Sequence, residues 1–132
     1  MNFIVIIPAR LLSTRFPNKP LSSIGGKPMI IRTIESAERS AAKRIIIATD
    51  NQKIANIVKK HGKEVYITNK EHNSGTERLF EIVEKLEFEN DQIIVNLQVD
   101  EPFIPGSKKL KILYKLYKRS LTLADLPDLY LK

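Results

Sequence analysis

The chain contains no cysteine, which excludes disulfides and thiolate-held metals and suits a reducing compartment. It has no Gly-x-x-x-x-Gly-Lys-Ser/Thr run, so a P-loop is excluded as the device that holds phosphates. Internal repeats and low-complexity tracts are missing too. The apolar run Phe3 to Ile7 has no basic region ahead of it and meets Arg10 too soon for a signal peptide or a membrane span. A soluble, cytoplasmic protein is expected. What is present, 132 residues of which 42% are hydrophobic, suffices for one domain-sized core.

The formal charge of +7 invites a nucleic-acid reading, but its distribution argues otherwise. From Lys108 onward seven cations face two acids, and that segment carries five of the seven net positive charges. A nearly neutral body with a basic end does not suit a protein built to follow a phosphate backbone. No nucleic-acid partner and no membrane are expected.

Strand signals recur at Phe3 to Ile7, Arg44 to Ala48, Glu64 to Thr68 and Gln92 to Leu97. Segments with helical spacing separate them, which is the alternation of a mostly parallel α/β sheet with crossover helices. The first helix is expected to start at Pro28, with Ile30, Ile34, Ala37 and Ala41 on one face. The second is expected to be capped by Asp50, to bury Ile54, Ile57 and Val58, and to stop at Gly62. The third should run from Thr76 to Leu86 on Leu79, Ile82, Val83 and Leu86. Beyond Pro105, Ser107 can cap a helix placing Leu110, Leu113, Tyr114, Tyr117 and Leu121 opposite the lysines. The expected division is therefore a nucleotide-binding α/β core over 1–105 and a basic amphipathic helix with an irregular tail over 106–132.

Three motifs carry chemistry. The opening strand runs into a loop with Arg10, Arg15 and Lys19, stiffened by Pro8, Pro17, Pro20 and Pro28. Cations at a strand's carboxyl end can bracket a triphosphate: arginine gives bidentate contacts and lysine a compact charge, and together they can steady a departing pyrophosphate. A merely basic surface loop would account for the charges but not for the prolines. The run His72-Asn-Ser-Gly-Thr-Glu-Arg78 lies before the third helix. Gly75 would let backbone N–H groups approach a ligand, yet Ser74 or Thr76 can equally form an ordinary helix cap. Last, Asn96-Leu-Gln-Val-Asp-Glu-Pro102 is an apolar strand entering a carboxylate pair. Asp100 is placed to bind Mg²⁺, which prefers carboxylate and phosphate oxygens with water, while a solvated turn before Pro102 is the plainer alternative.

These motifs, with Gly26-Lys-Pro-Met29 and Ile47-Ala-Thr-Asp50, occur in an order and spacing that resemble the 3-deoxy-manno-octulosonate cytidylyltransferase (CMP-Kdo synthetase) family over about residues 2 to 105. The resemblance implies an incomplete Rossmann-like fold of the nucleotide-diphospho-sugar transferase type. It implies that CTP and the acid sugar Kdo give CMP-Kdo and pyrophosphate for lipopolysaccharide assembly, with Mg²⁺ as cofactor. By resemblance Arg10, Lys19 and Asp100 are catalytic, with Asp100 on the metal. Pro8, Ala9, Arg10, Arg15, Lys19, Ser74, Gly75, Thr76 and Arg78 surround the nucleotide, and Gln98 faces the sugar. Family members are homodimers about twice this length, so the resemblance identifies an N-terminal half, a truncated chain from which most of the dimer surface is missing. Val99 stands where the family reads glycine, and residues 106–132 match the family poorly. Two other readings stay open: a non-catalytic degenerate fragment or small binding module whose basic helix engages an acidic partner, and a related cytidylyltransferase for another acid sugar such as sialic acid.

Overall fold

The computed structural model describes residues 3–10, 19–69, 75–89, 91–97, 99, 112–117 and 120–123. Its centre is strand β1, Phe3–Ala9, in which every residue is buried. β1 pairs in parallel with β4 (Arg44–Thr49) on one side and with β6 (Ile93–Asn96) on the other. β5, Val65–Ile67, extends the sheet beyond β4, also in parallel. Strands covered on both faces need no polar alternation, which is why β1 and β4 read as β-branched runs.

The two faces are separate in composition. Phe3, Val5 and Ile7 pack with Ile30, Ile34, Ala37, Ile54 and Val58, which come from α1 (Met29–Glu38) and α2 (Gln52–Lys60). Ile4 and Ile6 pack on the other side with Leu79, Ile82 and Val83 of α3, Gly75–Lys85. Each fully buried Ile or Val stabilises the fold by roughly 1.5–3 kcal/mol, so β1, bearing on both clusters, is the mechanical centre of the molecule. Among the described residues no helix is long and apolar enough to cross a membrane.

The expected strands and the three crossover helices are present, with local differences. Pro28 is the residue before α1, not its first residue, and α1 ends at Glu38, so Ala41 is exposed in the following turn. α2 is capped by Asn51: its side-chain oxygen accepts from Lys53 N at 2.8 Å and Ile54 N at 3.3 Å. Asp50, expected to be that cap, is turned to another partner described below. Ile57 is only partly buried, and Ala55 completes the face of α2 with Ile54 and Val58. Gly62 follows the cap residue His61 with φ of 73°, the left-handed geometry that ends a helix.

The expected helix over 107–121 is corrected. Residues Ile112–Tyr117 form β7, antiparallel to β6, and Ser120–Leu123 form β8, antiparallel to β7. Among the described residues the sheet therefore has six strands in the order β5-β4-β1-β6-β7-β8. The reason is physical: Leu113, Tyr114, Tyr117 and Leu121 satisfy a helical spacing, but short apolar runs fit either period. The unpaired edge of β6 offers N–H and C=O partners that a separate helix would leave open. The segment belongs to the same sheet as the core, and a binding module built on a basic helix here loses its helix. The remaining residues of 106–132 lie outside those described.

Candidate nucleotide site

Following β1 the chain goes to β4 and β5 on one side, then returns to β6 on the other side of β1. The order therefore reverses between β1 and β6, and in doubly wound sheets the crevice outside the carboxyl ends at such a point receives the ligand. The register fixes the geometry there. Phe3 through Ile6 pair with Ile93 through Asn96, and Leu97 N donates to Ile6 O at 3.1 Å, so both strands end on one edge. Pro8 and Ala9 are buried in β1, and Arg10 emerges exposed at its end. Val99, past the end of β6, is buried among Leu97, Ile30 and Ile34. A branched side chain is thus accommodated where the family reads glycine.

After β1 the described residues resume at a 3₁₀ turn, Lys19–Leu21, and continue into a hairpin of β2 (Ser23–Ile24) and β3 (Lys27–Pro28). Gly25 and Gly26 form its tip with φ of 59° and 85°, values that a two-residue hairpin loop of the primed type requires. Arg32 Nη2 donates to Gly25 O at 2.6 Å, and Met29 N donates to Ser22 O at 2.7 Å. Lys19 is thereby tied by a short, braced segment to the start of α1.

Arg78 is the most unusual side chain at this edge. It is buried, 1% exposed, although it carries a charge. Its Nη1 donates to Thr68 Oγ1 and, at 3.3 Å, to Asn69 O; its Nη2 donates to Asp50 Oδ2 at 3.5 Å. These partners follow β5 and β4, so Arg78 ties α3 to the ends of two strands. Its Nε has no hydrogen-bond partner among the described residues. Burial lowers the guanidinium's pKa from its ordinary value, Asp50 opposes this, and the nearby positive charge of Arg10 adds to it. The field of Arg10 thus reaches Arg78, and the carboxylates of Asp50 and Glu81 both oppose it.

Of the residues expected at the site, the structure brings Pro8, Ala9, Arg10, Gly75 and Arg78 to this edge, Gly75 as the first residue of α3. Lys19 is placed by its backbone only, as is Thr76 within α3. Arg15, His72, Ser74, Gln98 and Asp100 lie outside the described residues. The sequence reading missed Thr68 and the true role of Asp50. The signal for Asp50 was its place directly after an apolar strand, the same signal that marked Arg10. A cavity of about 310 Å³ lined by Glu38, Lys43, Arg44, Lys63 and Glu64 holds none of the expected site residues. Four of its charges are already paired, Lys63 with Glu38 and Arg44 with Glu64.

Known proteins are similar to this chain. The cytidylyltransferase family model matches residues 4–125. The chain is 55% identical over 126 residues to a 3-deoxy-manno-octulosonate cytidylyltransferase of Wigglesworthia glossinidia brevipalpis, covering 96% of this chain and 52% of that protein. It is 52% identical over 126 residues to the protein of the same name from Haemophilus influenzae, covering 96% of this chain and 50% of that protein. Among solved structures, a CMP:2-keto-3-deoxy-manno-octonic acid synthetase complexed with CTP is 41% identical with a TM-score of 0.72, over 79% of this chain and 42% of that one. A cytidylyltransferase of Leptospira borgpetersenii, at 24% identity and a TM-score of 0.62 over 76% of this chain and 42% of that one, shares the fold. The family match extends past residue 105, to residue 125. The chain spans about half the length of the curated relatives it matches. With this sheet order, these strand ends and a match over most of its residues, the chain belongs to the cytidylyltransferase family.

Proposed function

We propose that this chain is the nucleotide half-site of a 3-deoxy-manno-octulosonate cytidylyltransferase, an enzyme that joins CTP and Kdo into CMP-Kdo with release of pyrophosphate. The observation that carries the reading is the pairing of β1 with β6 at the point where the strand order reverses. One of these strands delivers Arg10, and the other leads the chain toward Gln98 and Asp100. The names of the relatives and the CTP in the matched complex support the same substrates.

In this reading Arg10 and Lys19 grip the phosphates, and the start of α3 at Gly75 and Thr76 bounds the nucleotide. Arg78, committed to Thr68, Asn69 and Asp50, holds the wall of the crevice. Gln98 faces the sugar, whose anomeric hydroxyl attacks the α-phosphorus in line; the protein's part is positioning and neutralisation of charge. Asp100, which follows β6 in sequence, would hold Mg²⁺, because that ion ordinarily takes one or two protein carboxylates together with phosphate oxygens and water. When bound, the ion offsets negative charge on the phosphates. The cytoplasm supplies nucleoside triphosphates and is the compartment for this reaction, and a homodimer is the assembly to be tested by sedimentation.

Titration calorimetry with CTP and Mg²⁺ tests the nucleotide reading: heat at submillimolar CTP is expected, and none at millimolar CTP overturns it. Pyrophosphate release from CTP in the presence of Kdo, and not of sialic acid, tests the reaction and separates the two acid sugars.

A further inference from the structure

Thr33 sits in the middle of α1, fully buried, in a helix whose other inward positions are filled by Ile30, Ile31, Ile34 and Ala37. A hydroxyl at such a position needs a partner, because an unsatisfied buried donor is costly. Its Oγ1 lies 3.0 Å from Met29 O and 2.7 Å from Val99 O. One hydroxyl carries one proton. Met29 O occupies the position that takes the regular amide bond of the helix, whereas Val99 lies past the end of β6, where the pairing with β1 has stopped. The shorter contact spans 66 positions of sequence and is buried at both ends.

The Val99 carbonyl belongs to the peptide whose nitrogen is that of Asp100. Val99 is held twice, by its side chain in the apolar cluster on α1 and by its carbonyl on Thr33. We infer that Thr33 is a positioning residue: by donating to Val99 O it fixes the turn through which β6 delivers Asp100, and so sets the affinity for a divalent-bound nucleoside triphosphate. The effect on affinity rests on the nucleotide reading above; the hold on the turn does not.

The test uses the full chain with Thr33→Val, which keeps the shape and removes the hydroxyl, and Thr33→Ser, which keeps the hydroxyl. Amide hydrogen exchange without ligand is read for the segment covering 97–102, with β4 as the internal reference. Loss of one hydrogen bond predicts exchange about fivefold faster in that segment for Thr33→Val, with β4 unchanged and Thr33→Ser near the parent. Equal exchange in all three proteins overturns the inference, as does equal acceleration in β4, which marks a general loss of stability. Calorimetry then compares CTP with Mg²⁺ against CTP with chelator. Thr33→Val is expected to weaken the first by about fivefold or more and to leave the second within twofold; equal loss in both overturns the link to the metal. A parent chain that binds no CTP removes the nucleotide reading and overturns the affinity claim, while the exchange comparison still decides the hold on the turn.

Discussion

Arg78 and Asp50, 28 positions apart in sequence, meet at the carboxyl edge of the sheet with Nη2 and Oδ2 3.5 Å apart. The guanidinium is buried and the carboxylate is partly open to water, 1% against 20% exposed. Asp50 can therefore be solvated if its partner is lost, whereas Arg78 cannot. This asymmetry predicts which of the two is the more dangerous to disturb.

Replacing Arg78 by Met removes the donors to Thr68 and Asn69 together with the ion pair. A loss of about 2–4 kcal/mol is expected, from unsatisfied buried acceptors and the broken network. Arg78→Lys keeps the charge but not the fork, and should recover less than half of that loss. Urea unfolding midpoints at constant slope check both values.

Arg10 is exposed, so Arg10→Ala should change stability by no more than about 0.5 kcal/mol. CTP affinity should fall by about 10–100-fold, the worth of a charge-assisted contact to phosphate. Calorimetry and thermal unfolding on the same samples separate the two effects. Unchanged affinity would remove Arg10 from the site.

The hairpin glycines are not equivalent. A Cβ on Gly25 would stand 2.8 Å from Arg32 Nη2 and dislodge the bond to the Gly25 carbonyl, while a Cβ on Gly26 meets nothing within 4 Å. Both substitutions to Ala suffer the left-handed backbone penalty of about 1 kcal/mol. Gly25→Ala should cost roughly a further 1 kcal/mol through the lost hydrogen bond, which paired denaturation curves would show.

Glu64 accepts from Arg44, at Nε 2.9 Å away, and from the Tyr66 hydroxyl at 2.8 Å. The hydrogen bond to Arg44 is the largest cause that lowers the Glu64 pKa, and the bond to Glu64 is the largest that raises that of Tyr66. A depressed carboxylate gives stability that is present above the unfolded value of 4.5 and lost as pH falls through the folded value. A raised phenol gives stability present below 10.0 and lost as pH rises through the folded value. Glu64→Gln should flatten the acid side of the stability profile and bring the Tyr66 titration back toward 10.0, read by near-ultraviolet absorbance.

A chain ending before Ile112 leaves one edge of β6 uncovered, since β7 is its antiparallel partner there. Exposed edges template association. Light scattering should detect larger species for the shortened chain at concentrations where the full chain shows none.

Much of the architecture could be read from local pattern. β1 and β4 are apolar on successive residues, which only a sheet covered on both faces permits, and the helical stripes of α2 and α3 named most of their buried faces. The placement of Arg10 at a strand's end followed from the same pattern. The cap of α2 was misread because Asp50 and Asn51 are both good caps by type, and only the buried guanidinium of Arg78 decided which of them was engaged elsewhere.

The sequence by itself determined the alternation of strands and helices, the order of the site motifs and the strand ends that carry them, because each depends on periodicity within one segment. Tertiary structure alone decided that Ile112–Tyr117 is a strand, that Arg78 faces Asp50 and Thr68, and that Thr33 reaches Val99. Those outcomes depend on which distant backbone edge, carboxylate or carbonyl is left without a partner once the sheet has formed, and no local pattern records that.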